Sequence, residues 1–352
     1  MTMPPGVAYA FLAAVSFGAS TPFAKTLVGA ISPVMLAALL YLGSGIGLLA
    51  WFCLRALGPG ADQAASARLS RADLRWLAGA ILFGGIAGPV LLMLGLSRTP
   101  ASAASLLLNM EGVLTSTLAW FVFRENFDRR IFLGMVLIVA GGVVLGWEQR
   151  PAFGVPWGAL AIVAACLCWA IDNNLTRKIS ASDAVQIAGV KGLVAGVVNL
   201  VIALSLGSSL PALGGMLGAA VIGFCGYGLS LVFFVLALRN LGAARTGAYF
   251  SAAPFVGAGI SLLMLREVPG QGFWLAGALM AAGIWLHLTE RHAHRHAHTA
   301  MRHGHAHVHD AHHQHQHDFA WDGSEPHTHT HDHAPLTHSH DHVPDIHHQH
   351  RH

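Results

Sequence analysis

Glu111, Asp172 and Lys191 are the ionisable side chains that fall well inside long apolar runs of this sequence. A charge carried into hydrocarbon costs several kcal/mol, so such residues are candidates for function. Glu111 lies near the middle of its run, with Thr115 one turn on along the same helical face. Asp172 is preceded by Trp169 and followed by Asn173 and Asn174, and Lys191 has Asn199 about two turns later. Together they describe a central polar cavity. Burial disfavours the charged form of a carboxyl, which suits Glu111 or Asp172 to exchanging a proton or binding a cationic group. Lys191 then holds an anionic group or acts as counter-ion. The plainer alternative is a buried Glu–Lys pair that only fixes helix packing. Trp169 and Phe17 line the cavity or pack against lipid.

A second chemistry sits at the C-terminal end. All 24 histidines lie from His287 onward. His292, His294, His296 and His298 alternate with other residues, as do His303, His305, His307 and His309, and again His327, His329, His331 and His333. Imidazole suits nickel, cobalt, zinc and copper, and flexible His-x-His units supply several ligands without a preformed fold. Low apolar content predicts a disordered tail over 290–352. No cofactor is required; a divalent metal bound by the tail is the expectation.

The elements that position these residues follow from solvent. The chain is 54% hydrophobic and 11% charged over 352 residues, where a soluble domain carries about 25% charge. Eight of the 17 acidic residues lie from Glu290 onward, leaving nine for the first 289. A body of that composition cannot present a water-facing surface. Runs of about 18 to 25 apolar residues cross a hydrocarbon core of roughly 30 Å, and the sequence predicts about ten of them. The first, near Val7–Leu27, lacks a basic segment before it and reads as a retained span, not a signal peptide. The four cysteines all fall in apolar runs and suggest no disulfide framework. Pro22, Pro89 and Pro254 interrupt spans, where each frees a backbone carbonyl and bends the helix.

An internal echo sets the order of the spans. Leu96, Ala101, Arg124, Glu125, Leu133, Leu137, Ala140 and Gly141 recur 142 positions later as Leu238, Ala243, Arg266, Glu267, Leu275, Leu279, Ala282 and Gly283. Such an echo marks a duplication. Five spans in each half place the copies in opposite orientation, the inverted-repeat logic of secondary transporters. The expected architecture is an all-α polytopic membrane protein: a five-helix repeat over 1–150, a second over 151–289, and the tail over 290–352. With the N-terminus cytoplasmic, ten Lys and Arg flank the spans inside and four outside, as the positive-inside rule asks. Both termini are then cytoplasmic, in a bacterial-type inner membrane. Arg124-Glu125 and Arg266-Glu267 read as helix caps at the interface.

With these features the chain resembles the EamA family of the drug/metabolite transporter superfamily. The resemblance rests on Ser16-Phe17-Gly18-Ala19 leading to Lys25 and Ser32-Pro33, and on spans that end in Arg124-Glu125 and Arg266-Glu267 before a Gly-rich helix. It covers residues 7–289. The family often carries Glu-Pro at mid-span; here the first half has Glu111-Gly112 and the second Ala253-Pro254. The resemblance implies secondary transport of a small metabolite, usually export, without ATP.

Two readings of the cargo stay open. One is an organic metabolite, with the tail as a metal-responsive regulator. The other is a divalent nickel, cobalt or zinc permease whose tail buffers or delivers the metal. The absence of histidine before His287 and the scarcity of carboxylates favour the first. An enzyme is not expected, because the spans hold no cluster of catalytic ligands. The partners are the lipid membrane, a small-molecule substrate and divalent metal ions; no nucleic acid is expected, and a homodimer remains open.

Overall fold

The computed structural model describes residues 5–56, 69, 71, 73–123, 129–148, 156–179 and 182–288, with segments 293–298, 301–307, 327–333 and 336–341 of the tail. Arg124, Glu125, His292 and His309 lie outside the described residues. The body is helical: α1 (Pro5–Leu27), α2 (Pro33–Ala56), α3 (Leu74–Arg98), α4 (Ala101–Leu107), α5 (Met110–Phe123), α6 (Arg129–Glu148), α7 (Trp157–Arg177), α8 (Ala184–Ser205), α9 (Leu213–Phe250), α10 (Ala253–Met264) and α11 (Gln271–Leu288). Among the described residues seven stretches are long and apolar enough to cross a membrane, and Ala253–Met264 and Gln271–Leu286 are shorter apolar helices. Leu54, Val143, Val201, Val221 and Leu263 are exposed on the surface. So much exposed hydrocarbon fits a lipid environment.

The run expected over 101–123 is not one helix. It breaks at Leu108–Asn109, giving α4 and α5. No proline is needed for this. Asn109 folds back so that its Nδ2 and backbone N–H both donate to Leu106 O, at 2.9 and 3.0 Å. The Cys166 thiol of α7 faces the Leu107 and Leu108 carbonyls at 3.8 and 4.0 Å. Carbonyls released at a helix break in lipid need such partners.

The second half breaks at the corresponding place. α9 and α10 are separated at Ser251–Ala252, one residue from the 142-position offset. α3 carries a π-helical segment at Ile81–Ala87, and α9 carries one at Phe224–Leu229. The echo thus extends from residue types to backbone irregularities. Helical hydrogen bonding is assigned throughout Ser230–Phe250, yet the Phe234 and Phe250 rings meet at 4.9 Å. Residues that far apart in a straight helix would lie about 24 Å apart, so α9 turns back on itself between them.

α2 runs along α8, α6 along α11, and α7 lies against α3 and α5. The α2–α8 crossing is close because glycines face each other: a Cβ on Gly192 would lie 2.7 Å from Gly45 N. At one end of the bundle, charges clamp the link between α3 and α4. Lys25 Nζ donates to Leu96 O and, at 2.8 Å, to Thr99 O. The Glu267 carboxylate accepts from the Ala101 and Ser102 N–H groups at 2.8 and 2.9 Å. Glu267 is therefore a helix cap, and Arg266 beside it has a left-handed φ of 51°.

The tail is described in four short segments. Its described backbone forms four strands: β1 (Ala293–His298) pairs antiparallel with β4 (Leu336–Asp341), and β2 (Met301–His307) with β3 (His327–His333). Alternation of histidine with small residues has the period of a strand. An isolated two-stranded ladder is only marginally stable in water.

The glycine crossing is testable. Gly192→Leu should destabilise the protein by about 2–3 kcal/mol through overpacking. Gly218→Ala, where the added Cβ meets nothing within 4 Å, should stay within about 0.5 kcal/mol. Thermal unfolding in detergent distinguishes the two, and equal effects would contradict the packing described.

Candidate functional site

The site is built around carbonyls that α3 cannot satisfy itself. Pro89 has no N–H, so Gly85 O, four residues earlier, loses its usual partner. The Gly88 N–H donates to Phe83 O in π fashion, so it does not serve Gly84 O. Side chains from three other helices take up the freed oxygens. Tyr41 Oη of α2 donates to Gly84 O at 2.7 Å, and Trp169 Nε1 of α7 donates to the same atom at 3.0 Å. Asn199 Nδ2 of α8 donates to Gly85 O at 3.0 Å. Trp169 and Asn199, candidates for substrate contact in the sequence, are here engaged by backbone.

Against this segment lies an ion pair. Lys191 Nζ of α8 is bonded to Asp172 Oδ2 of α7, and Thr176 Oγ1 donates to Asp172 Oδ1 at 2.9 Å. Asp172 is 5% and Lys191 7% exposed. Asp172 abuts Gly84, where any side chain would collide with the carboxylate. Lys191 therefore meets Asp172, and the buried Glu–Lys pair weighed from the sequence does not form.

Glu111 takes a different partner. It lies in the first turn of α5, just past the break, where the helix start favours a negative side chain. Asn173 Nδ2 donates to its Oε1 at 2.7 Å. Gly112 beside it is exposed, with nothing within 4 Å of where a Cβ would be. The Thr115 hydroxyl, one turn on, is buried without a hydrogen-bond partner, as is Asn199 Oδ1. Thr115 shares the helix with Glu111 but not its hydrogen bond.

An aromatic cluster adjoins these groups. Phe17 of α1 meets the edges of Trp169 and Tyr227 at 6.1 Å each and approaches Phe250 at 5.6 Å. Tyr41 and Tyr227 lie 5.5 Å apart. Trp169 and Asn173 are four residues apart on one face of α7. The structure thus gathers Glu111, Asp172, Lys191, Trp169 and Asn199 around α3 and α7. It adds Tyr41, Asn173, Thr176 and the Gly84 and Gly85 carbonyls, which the sequence reading did not select. The hint for the carbonyls was Gly84-Gly85, five and four residues before Pro89. Among the described residues no group of three His, Cys, Asp or Glu is placed to hold a metal ion.

Breaking the buried pair should be costly. Lys191→Met strands the Asp172 carboxylate and should cost about 3–5 kcal/mol, while the joint change Asp172→Leu/Lys191→Met should recover most of it. Melting curves of the single and double variants measure the coupling. Additive losses would mean that the pair contributes nothing as a pair.

Comparisons with known proteins place this geometry in a family context. The model of the EamA-like transporter family matches residues 4–147 and 156–289. An uncharacterised transporter of Methanothermobacter thermautotrophicus is 31% identical over 290 residues, covering 78% of this chain and 83% of that protein. The inner membrane transporter YedA of Escherichia coli K12 is 24% identical, covering 69% and 78%. A protein of Pseudomonas fluorescens named as the probable 4-amino-4-deoxy-L-arabinose-phosphoundecaprenol flippase subunit ArnE is 34% identical over 104 residues, which is 30% of this chain. A solved crystal structure superposes with a TM-score of 0.60 at 19% identity, covering 81% of this chain and 96% of its own.

Proposed function

The chain belongs to the EamA-like transporter family, and from that premise we propose that it is a secondary active exporter of a small organic metabolite. On this reading it works without ATP in a bacterial-type inner membrane, with both termini cytoplasmic. The ten spans form two inverted five-helix repeats, 1–150 and 151–289. Support comes from the π segments and mid-span breaks that recur near the 142-position offset and from the excess of Lys and Arg on the N-terminal side.

The observation that carries the site assignment is Glu111. It is a carboxylate bonded to a neutral amide, beside a gap at Gly112, in the first turn after a mid-span break. Broken helices at mid-membrane are where such transporters place their cargo. A divalent metal ion asks for several oxygen or imidazole ligands, and the centre supplies one carboxylate not already held by an ammonium group. An organic cargo suits that site better than a bare metal.

The tail is assigned metal binding with a regulatory role. Its donors suit nickel, cobalt, zinc and copper. Its backbone register sets His294 opposite His340, His296 opposite His338, His303 opposite His331, His305 opposite His329 and His307 opposite His327. The same register favours the second reading, a nickel, cobalt or zinc permease whose tail delivers the ion.

Elemental mass spectrometry of cells separates the two readings. Total nickel, cobalt and zinc would be measured in cells expressing the full chain, a truncation ending at Leu288, and Glu111→Gln. The metabolite reading expects metal retention only in cells whose protein has the tail, whatever residue stands at 111. If the truncation still changes metal content and Glu111→Gln does not respond in the same way, the body moves metal and the permease reading replaces this one.

A further inference from the structure

We propose that the tail is one antiparallel ribbon with two separate divalent-metal sites, each made of histidines that face each other across the strands. This rests on the metal-binding reading of the tail and names its sites. The backbone register carries it. β1 and β4 pair from Ala293 with Asp341 to His298 with Leu336, and β2 and β3 pair from Met301 with His333 to His307 with His327. Two residues separate the ladders on each strand, 299–300 on one and 334–335 on the other. The second ladder therefore continues the register of the first without a slip. Pairing nested in one register is that of a single long hairpin.

Positions opposite each other in an antiparallel pair share a face, and so do alternate positions along a strand. His294, His296, His338 and His340 thus share one face of the first ladder. His303, His305, His307, His327, His329 and His331 share one face of the second. The other face of the second ladder sets Arg302 opposite Asp332 among small and hydroxyl residues. Opposite Cβ atoms in such a pair lie about 4.5–5.5 Å apart, and alternate positions along a strand about 7 Å apart. Two neighbouring pairs bring four imidazoles within reach of one ion, the number zinc takes, and imidazole suits nickel and copper as well. A slip of one residue would set His303 against Thr330 or Asp332 and move one strand's histidines to the other face. The two sets are also distinct from each other. His298 and His303 are five positions apart, roughly 17 Å along an extended strand, and the alternation changes from even to odd positions between them.

The ion also supplies what the strands lack. A two-stranded ladder alone is marginal in water, and these four strands carry few apolar residues. Where a fold brings the ligands together, the free energy of binding the metal becomes free energy of folding. The paired backbone is the form that the ion holds closed, and each site forms with its ion. β1 begins five residues after α11 ends, so closure of the ribbon takes place directly after the last span along the chain.

The test uses the full chain in detergent near neutral pH, with zinc alone as the probe. Bound zinc is counted after equilibrium dialysis, and amide hydrogen exchange is followed over 293–307 and 327–341. The expected result is about two tightly held ions per chain, one for each ladder, and slower exchange in all four strands when zinc is added. The β3 variant His327→Ser/His329→Ser/His331→Ser should bind one ion fewer. It should also lose the zinc-dependent protection of 301–307 while 293–298 keeps its own. The control His312→Ser/His313→Ser/His315→Ser removes as many imidazoles outside the strands and should keep both ions. Equal losses in the two triple variants, or protection of 301–307 that survives the β3 changes, would show an unstructured chelator and overturn the proposal. If the full chain binds no more zinc than a truncation ending at Leu288, the metal-binding reading of the tail fails with it. Zinc that is bound without regard to register sinks the paired sites alone.

Discussion

A backbone carbonyl in hydrocarbon must find a donor, and before Pro89 two of them find it outside their own helix. The loss of an amide hydrogen at Pro89 and the π segment before it release Gly85 O and Gly84 O. A carbonyl left bare at this depth costs several kcal/mol. Tyr41, Trp169 and Asn199 supply the missing hydrogens from α2, α7 and α8. Three helices are thereby oriented about one segment of a fourth. That orientation points Asp172 of α7 and Lys191 of α8 at each other, with Gly84 small enough to let the carboxylate in. The ion pair is a consequence of how the carbonyls are satisfied.

The second π segment meets a hydroxyl-bearing side chain where the first meets a carboxylate. Its π segment at Phe224–Leu229 occupies the corresponding place, and Ser230 of the same helix donates to Gly226 O at 2.6 Å. Ser20 of α1 abuts Gly226 as Asp172 abuts Gly84. The irregular helix is thus shared by the two halves, whereas Glu111 lies in the first half and the buried pair, Asp172 and Lys191, in the second. Where Glu111 stands in the first copy, the second has Ala253, directly before Pro254.

Much of this was legible in the sequence, and the limits have physical causes. Apolar runs, the 142-position echo and the isolation of Glu111, Asp172 and Lys191 in apolar surroundings all follow from composition and spacing. The pairing of Lys191 with Asp172 does not, because hydropathy fixes where a helix lies but not its rotation about its axis. The π segments were hidden for a related reason: one extra residue in a turn leaves an apolar run looking the same. The break at Leu108–Asn109 escaped because it depends on Asn109 and Cys166 and not on proline. In the tail, the alternation of histidine with small residues also has the period of a strand.

The distribution of bonds also ranks which contacts are easiest to change. The α3–α4 link is held by opposite charges on opposite helix ends, Lys25 on carbonyls and Glu267 on amides, each matched to the local dipole. The centre is held by an ion pair, a threonine hydroxyl and three donors to backbone. Between α5 and α7, Glu111 makes one hydrogen bond, to a side-chain amide on an open surface. A net hydrogen bond of that kind is worth about 1.5–3 kcal/mol when one partner is charged. The Glu111 contact can therefore be lost while every contact that fixes α2, α3, α7 and α8 stays in place. The carboxylate with one bond on an open surface and the charges that hold the fold are on different residues, so a change at Glu111 does not reach the buried pair.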